Sequence, residues 1–335
     1  MHARLPKNYV LEARLERYAD AIEVVPGAYK GRWAEACWPL GGESDEGADL
    51  DQNQSRDATA VPSPDPDHGA GASAVLDASP TAPPNDGDTP CSGTADEAAL
   101  GRFREVRLDL GCGKGAYIIE CARRAPDVLF LGVDFEPVCI ARAAEHIMEG
   151  GVRNAVVIPG SPESLGGMFA PGELSGVSIN FPTPEPKRRH ASERLVTADH
   201  LLDVRPLLSP DGTVTLRTDS LPLFSYALPQ FEGAGYDVLW TSADDRADHP
   251  DTPFTEYEER LSEEGATVYA LEAAPAAEPP TPEQVQAARD LPQSLYDYLP
   301  DDLFEGEYVP HGMGYAMTNM RNCRANEERR TRKRG

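Results

Sequence analysis

Between residues 98 and 243 the chain alternates short apolar runs with stretches in which apolar side chains recur every three or four positions. That pattern is the signature of strands alternating with amphipathic helices. Residues 106–110 read as a strand, 116–124 as a helix with Ile118, Ile119 and Cys121 on or near its inner face, and 129–133 as a second strand ending at Asp134. A second helix is predicted over 138–148, with strands over 155–158 and 177–181. Beyond these, 192–208 reads as helix, 213–216 as strand and 223–231 as helix, with closing strands at 236–240 and 267–271. The alternation predicts an α/β fold built on a doubly wound, mostly parallel sheet, with its ligand at the carboxyl ends of the strands.

Composition confines that fold to part of the 335 residues. Residues 41–97 are nearly all Asp, Ala, Pro, Ser and Gly, with one basic residue, Arg56, against thirteen acidic ones. Such a segment buries too little apolar surface to offset its ordering entropy, and disorder is expected. The net charge of −25 argues at first against a polyanionic partner. That charge, however, resides in 41–97 and 244–310, whereas residues 311–335 carry seven basic and two acidic side chains. The basic tail from Arg329 to Arg334 reads either as a phosphate-binding arm or as a solvated terminus. No apolar run approaches the roughly 20 residues of a membrane span, so no membrane partner is expected. The first thirty residues hold no signal-like apolar core, and a cytoplasmic location follows as the expectation. Six cysteines without C-x-x-C spacing read as reduced thiols, and no metal site is expected.

The chemistry begins at Leu108-Asp109-Leu110-Gly111-Cys112-Gly113-Lys114-Gly115-Ala116, a glycine loop between strand and helix. It satisfies G-x-G-x-x-A, and Asp134 lies where the ribose-binding carboxylate of a dinucleotide fold would sit. Asp109, two residues before Gly111, would repel a pyrophosphate but attract the ammonium and sulfonium of S-adenosylmethionine (SAM). On that reading Gly111, Gly113 and Gly115 let the backbone approach the methionyl and ribose groups, and Asp134 accepts from the ribose hydroxyls. A nicotinamide cofactor and an ordinary tight turn remain the alternatives, and Ser161 is a candidate contact for the adenine region. Further on, Asn180-Phe181-Pro182-Thr183-Pro184-Glu185-Pro186-Lys187-Arg188-Arg189-His190 places a stiff, proline-spaced loop and a basic cluster at the same sheet edge. Cations at a helix start oppose its dipole, which an external phosphate would relieve.

These motifs resemble the bacterial tRNA (guanine-N7)-methyltransferases, SAM-dependent enzymes that methylate a guanosine of the tRNA variable loop. In that family the loop reads phenylalanine, Asp-Pro-Trp-Pro-Lys, a basic residue, Arg-His and a basic stretch. The resemblance continues at Thr218-Asp219, at Leu223-Phe224, at Thr255-Glu256-Tyr257-Glu258 followed by Gly265, and upstream at Lys30-Gly31-Arg32-Trp33. It implies a Rossmann-like class I SAM-dependent methyltransferase fold over residues 98–273. Residues 1–40 would form the module's N-terminal part, 41–97 an insertion, and 274–335 an extension. The resemblance assigns SAM contacts to Asp109, Asp134 and Ser161, and guanosine or tRNA contacts to Lys187, Asp219, Thr255, Glu256, Tyr257 and Glu258. Phosphate contacts are expected from Arg188, Arg189, His190 and Arg194, with tRNA as the partner and a monomer or homodimer as the assembly. Thr183 stands where the family has its catalytic aspartate, Glu185 where it has tryptophan, and Ser192 and Glu193 where it has basic residues. Asp109 replaces a usual glutamate. The departures leave open a methyltransferase of reduced turnover, a SAM- or tRNA-binding protein without catalysis, and a methyltransferase with another substrate.

Overall fold

The computed structural model describes residues 10–36, 103–299 and 308–310, together with positions 313, 314, 318, 322 and 329. The disorder expected over 41–97 lies outside the described residues, as does the basic tail beyond Arg329.

Seven strands form one sheet: β1 (Glu105–Leu110), β2 (Val128–Asp134), β3 (Ala155–Pro159), β4 (Leu174–Asn180), β5 (Leu208–Thr218), β6 (Tyr236–Ser242) and β7 (Tyr269–Pro275). Their order is β3-β2-β1-β4-β5-β7-β6. The first five are parallel, and β7 runs antiparallel to both β5 and β6. Chain order reverses between β1 and β4, which opens a crevice beyond the carboxyl ends of those two strands.

Helices flank the sheet because their apolar stripes need cover. Ten are present among the described residues: α1 (Leu11–Arg17), α2 (Trp33–Ala36), α3 (Ala116–Arg124), α4 (Pro137–Glu149), α5 (Leu165–Met168), α6 (Ala198–Val204), α7 (Leu221–Gly233), α8 (Asp245–Asp248), α9 (Glu256–Glu263) and α10 (Pro282–Arg289). The stripe of α3 buries Ile118, Ile119 and Ala122, while Cys121 is half-buried at its margin. The small residues Ala141, Ala143 and Ala144 of α4 are buried beside Ile140 and Ile147.

The K-G-R-W element acts as a staple. Trp33 is fully buried, its indole N–H donates to Met168 O at 2.9 Å, and the backbone N–H groups of Gly31 and Trp33 donate to Glu173. The preceding segment guards a sheet edge: Ile22 bridges Val157 of β3, and Glu23 N donates to Val157 O at 2.9 Å.

One predicted element differs. The helix expected over 192–208 is broken into a 3-10 run Arg188–Glu193, the short α6 and a 3-10 turn Arg205–Leu207 before β5 begins at Leu208. Thr197 caps α6 by accepting from His200 N, which sets its start, and Pro206, in the 3-10 turn that follows, has no N–H with which to continue the helix. Past the sheet, α10 packs on α7, where Gln230 Nε2 donates to Ala288 O at 2.9 Å. Among the described residues no helix is long and apolar enough to cross a membrane.

Candidate active site

The crevice is lined on one side by the glycine loop. All three glycines have positive φ, 79° at Gly111, 54° at Gly113 and 76° at Gly115. A Cβ at Gly111 would lie 2.9 Å from Leu195 Cδ1, and one at Gly115 3.0 Å from Ala143 Cβ, whereas Gly113 faces open space. The outer glycines therefore serve packing, and the middle one leaves open space where a side chain would stand.

Asp134, ending β2, ties the loop down: Oδ2 accepts from Gly113 N and Oδ1 from Glu136 N, both at 2.9 Å. A carboxylate offers about four acceptor sites, so capacity remains for a ligand. The next residue, Phe135, is 79% exposed and offers an aromatic face beside that carboxylate.

Asp109, at the end of β1, is 3% exposed. Asn180, the last residue of β4, donates from Nδ2 to Asp109 Oδ1 at 3.0 Å, while its own Oδ1 is buried without a partner. Burial pushes the Asp109 carboxyl up to about 7, against the pull of the Asn180 amide and with a further push from the Asp134 charge. Burial also raises Asp134, opposed by its backbone N–H partners. Two carboxyl groups and an unsatisfied amide oxygen make this half of the crevice rich in acceptors. That chemistry is wrong for a pyrophosphate and fits a ligand with an ammonium and two ribose hydroxyls, so these residues suit SAM and disfavour the dinucleotide alternative.

Ser161 follows β3 and caps a 3-10 turn: its N–H donates to Ser164 Oγ at 3.0 Å, and Ser164 Oγ donates to Ser161 O at 2.6 Å. It is half-buried, and its local role is that of a turn residue.

The other side is built by the loop after β4. Phe181 N donates to Arg217 O at 2.7 Å, and Phe181 adopts φ 49°. Its ring centre lies 5.3 Å from that of Tyr257 and 5.6 Å below the Arg217 guanidinium. Thr183 is exposed between two buried prolines, Pro182 and Pro184. Lys187, Arg188 and Arg189 are exposed at the surface of the same loop.

Arg194, expected among the phosphate contacts, is instead 1% exposed. Its guanidinium donates to Pro184 O at 3.1 Å, to Glu185 O at 3.1 and 2.7 Å and to Gln293 O at 2.8 Å, and lies 4.6 Å from the Tyr226 ring centre. The reason is chain geometry: the proline loop bends back, with Glu185 at φ 46°, and presents the carbonyls of Pro184 and Glu185 to this guanidinium.

Glu185, His190 and Glu193 bring potential ligand atoms within 4.8 Å of one another. His190 already accounts for that proximity. Its Nδ1 faces Glu193 Oε1 at 2.9 Å, and its Nε2 accepts from Arg189 Nε at 2.9 Å, so neither ring nitrogen offers a free lone pair.

Asp219, between β5 and α7, is 4% exposed and accepts from the phenol of Tyr308. Thr255 caps α9, its Oγ1 accepting from Glu258 N at 3.3 Å. Tyr257 is half-buried over Phe181. Glu258, expected to face substrate, is fully buried and paired with Arg217 at 2.9 Å and Arg246 at 2.5 Å; Arg217 also holds Asp245 at 2.6 Å. The third residue of α9 points into the sheet, where it neutralises the buried Arg217, so this glutamate serves the core. The Glu256 side chain lies outside the described residues. Asn180, Phe135, Arg217 and Tyr308 escaped the sequence reading; only Asn180, a polar residue closing an apolar strand, left a signal there.

Comparison with known proteins agrees with this architecture. A family model described as a putative methyltransferase matches residues 104–271, which run from the start of β1 into β7. A tRNA (guanine-N(7)-)-methyltransferase of Geobacillus kaustophilus (strain HTA426) is 33% identical over 185 residues, 53% of this chain and 85% of that protein. One of Streptococcus suis (strain 05ZYH33) is 30% identical over 175 residues, 52% of this chain and 82% of that protein. With the glycine loop, its two strand-end acids and the proline-basic loop all inside the shared region, the chain belongs to the tRNA (guanine-N(7)-)-methyltransferase family.

Proposed function

We propose that this chain transfers a methyl group from SAM to N7 of a guanosine in tRNA, the variable-loop guanosine at position 46. The observation that carries the reading is the placing, at the carboxyl ends of neighbouring strands, of the acceptor-rich Asp109, Asp134 and Asn180 beside Phe181, whose ring packs on Tyr257, with Asp219 following β5. When bound, SAM supplies an electrophilic methyl group on a sulfonium. Asp109 and the Asn180 carbonyl oxygen would hold its ammonium, Asp134 would accept from its ribose hydroxyls, and the exposed Phe135 ring would be available to its adenine. Ser161 adds a weaker contact at the adenine end.

Guanine N7 carries an in-plane lone pair and no proton, so no general base is required. The residues on the substrate side orient and neutralise. The Asp219 carboxylate accepts from the N1–H and N2–H₂ edge of guanine, and its charge offsets the positive charge that develops on the methylated ring. Phe181 and Tyr257 supply an apolar wall that excludes water, and alignment of this kind is worth several kcal/mol of barrier. Lys187, Arg188 and Arg189 contact phosphates. Thr183 accepts one hydrogen bond but brings no charge, so turnover is lower than with an aspartate there.

The test is incubation of the purified chain with unmodified tRNA and labelled SAM, with product mapped by cleavage at N7-methylguanosine and SAM affinity measured separately. Label at a single variable-loop guanosine is expected. Intact SAM binding without any labelled tRNA would overturn the reading and leave the second one, a SAM-binding protein without catalysis, for which the uncharged Thr183 is the supporting observation.

A further inference from the structure

The C-terminal extension returns to the site. Tyr308 lies 89 residues beyond Asp219 and outside the region shared with the family model, yet its phenol donates to Asp219 Oδ2. The segment around it is anchored: Pro310 is buried, Met313 is fully buried, and Met313 N donates to Pro310 O at 2.9 Å. Burial, followed by the neighbouring Asp219 carboxylate, pushes the phenol well above its usual pKa, so it remains a donor throughout the working range.

A guanine edge presents two N–H donors side by side and needs both oxygens of a carboxylate approached from one open side. Asp219 is only 4% exposed and its Oδ2 is already held by the Tyr308 phenol, so that oxygen is taken. We infer that the segment carrying Tyr308, Pro310 and Met313 is a built-in substrate mimic, its phenol occupying the guanine acceptor on Asp219, and that tRNA must lift it to bind. The inference rests on the reading of Asp219 as the guanine acceptor.

Tyr308→Phe in the full chain keeps the ring and removes the donor. A hydrogen bond to a charged group corresponds to roughly tenfold or more in an equilibrium. The KM for unmodified tRNA is therefore expected to fall by about tenfold with kcat changed by less than about twofold. Hydrogen exchange supplies a second readout: tRNA binding should raise exchange in peptides covering 308–314, whereas a segment that merely supports Asp219 would become more protected. An unchanged or raised KM in Tyr308→Phe, or added protection on tRNA binding, would overturn the inference while the methylation itself upholds the proposed function. Absence of methylation by both proteins, with SAM bound, would instead remove the reading on which the inference rests.

Discussion

Replacing Arg194 with methionine separates a structural clamp from a nucleic-acid contact. Methionine preserves the unbranched apolar stem over Tyr226 but strands the carbonyls of Pro184, Glu185 and Gln293, which now receive hydrogen bonds of 2.7–3.1 Å. A hydrogen bond to a charged group contributes about 1.5–3 kcal/mol, and each buried acceptor left unpaired costs about 1–3 kcal/mol. Part of that loss is offset, because the guanidinium is itself costly to bury and its Nη1 has no partner. A net destabilisation of about 3–5 kcal/mol is expected, comparable to breaking a buried ion pair. Against a typical 5–15 kcal/mol of total stability this is a large shift in a urea midpoint.

Activity should fall as well. Glu185 holds φ 46°, a conformation that costs about 1–3 kcal/mol and survives only where its surroundings enforce it. Without the clamp it relaxes and carries Thr183 and Lys187 with it. A displacement of about 1 Å in a positioning loop lowers turnover on the order of 10²-fold. Single-turnover methylation, urea unfolding and the salt dependence of tRNA affinity form the assay. A wild-type urea midpoint, together with weaker tRNA binding and a log–log salt slope shallower by about 0.7–0.9, would refute the clamp and restore Arg194 as a phosphate contact.

Other perturbations read the remaining parts of the site. The Asp109 carboxyl sits at about 7 in the fold against 3.8 ordinarily; the folded state retains a proton that the unfolded state releases, so this group's contribution to stability falls as pH rises from 4 to 7 and is flat above. Ligand binding favours the ionised form, so SAM affinity should tighten by up to about tenfold for each unit of pH rise up to 7, and Asp109→Asn should abolish that slope in calorimetry; a flat wild-type profile would count against the assignment. Thr183→Asp should raise kcat on the order of 10²-fold if a charge is what that position lacks, and no gain would show the electrostatic account to be wrong. Glu258→Ala should cost about 3–5 kcal/mol in urea unfolding by leaving Arg217 short of a buried partner, with SAM affinity unchanged; normal stability with selectively raised KM for tRNA would show that Glu258 reaches substrate.

The parts of this protein legible in its sequence are those fixed by neighbours along the chain. Strand and helix alternation is local, and so is the glycine loop. Asp134 falls at a strand end because the apolar run stops there, and β2 does close on it. What failed were inferences about charged side chains, because a charge carries no mark of whether its partner is water, phosphate or another part of the fold. Arg194 sits in a run that reads as basic surface, yet its partners include Gln293, 99 residues away. Glu258 belongs to an acidic helix start that looks solvated, and the cation it neutralises is Arg217, 41 residues earlier on β5. In both cases burial forces the pairing: an isolated charge in the interior is too costly, so each buried ion must recruit whatever acceptor or countercharge the topology delivers. The family's charged motif is thereby divided. Lys187, Arg188 and Arg189 lie exposed, while Arg194 is buried against the loop that carries Thr183 and Glu258 is buried on the helix that carries Tyr257. Changes in the second group should therefore alter stability and turnover together, whereas changes in the first should alter tRNA affinity and its salt dependence alone.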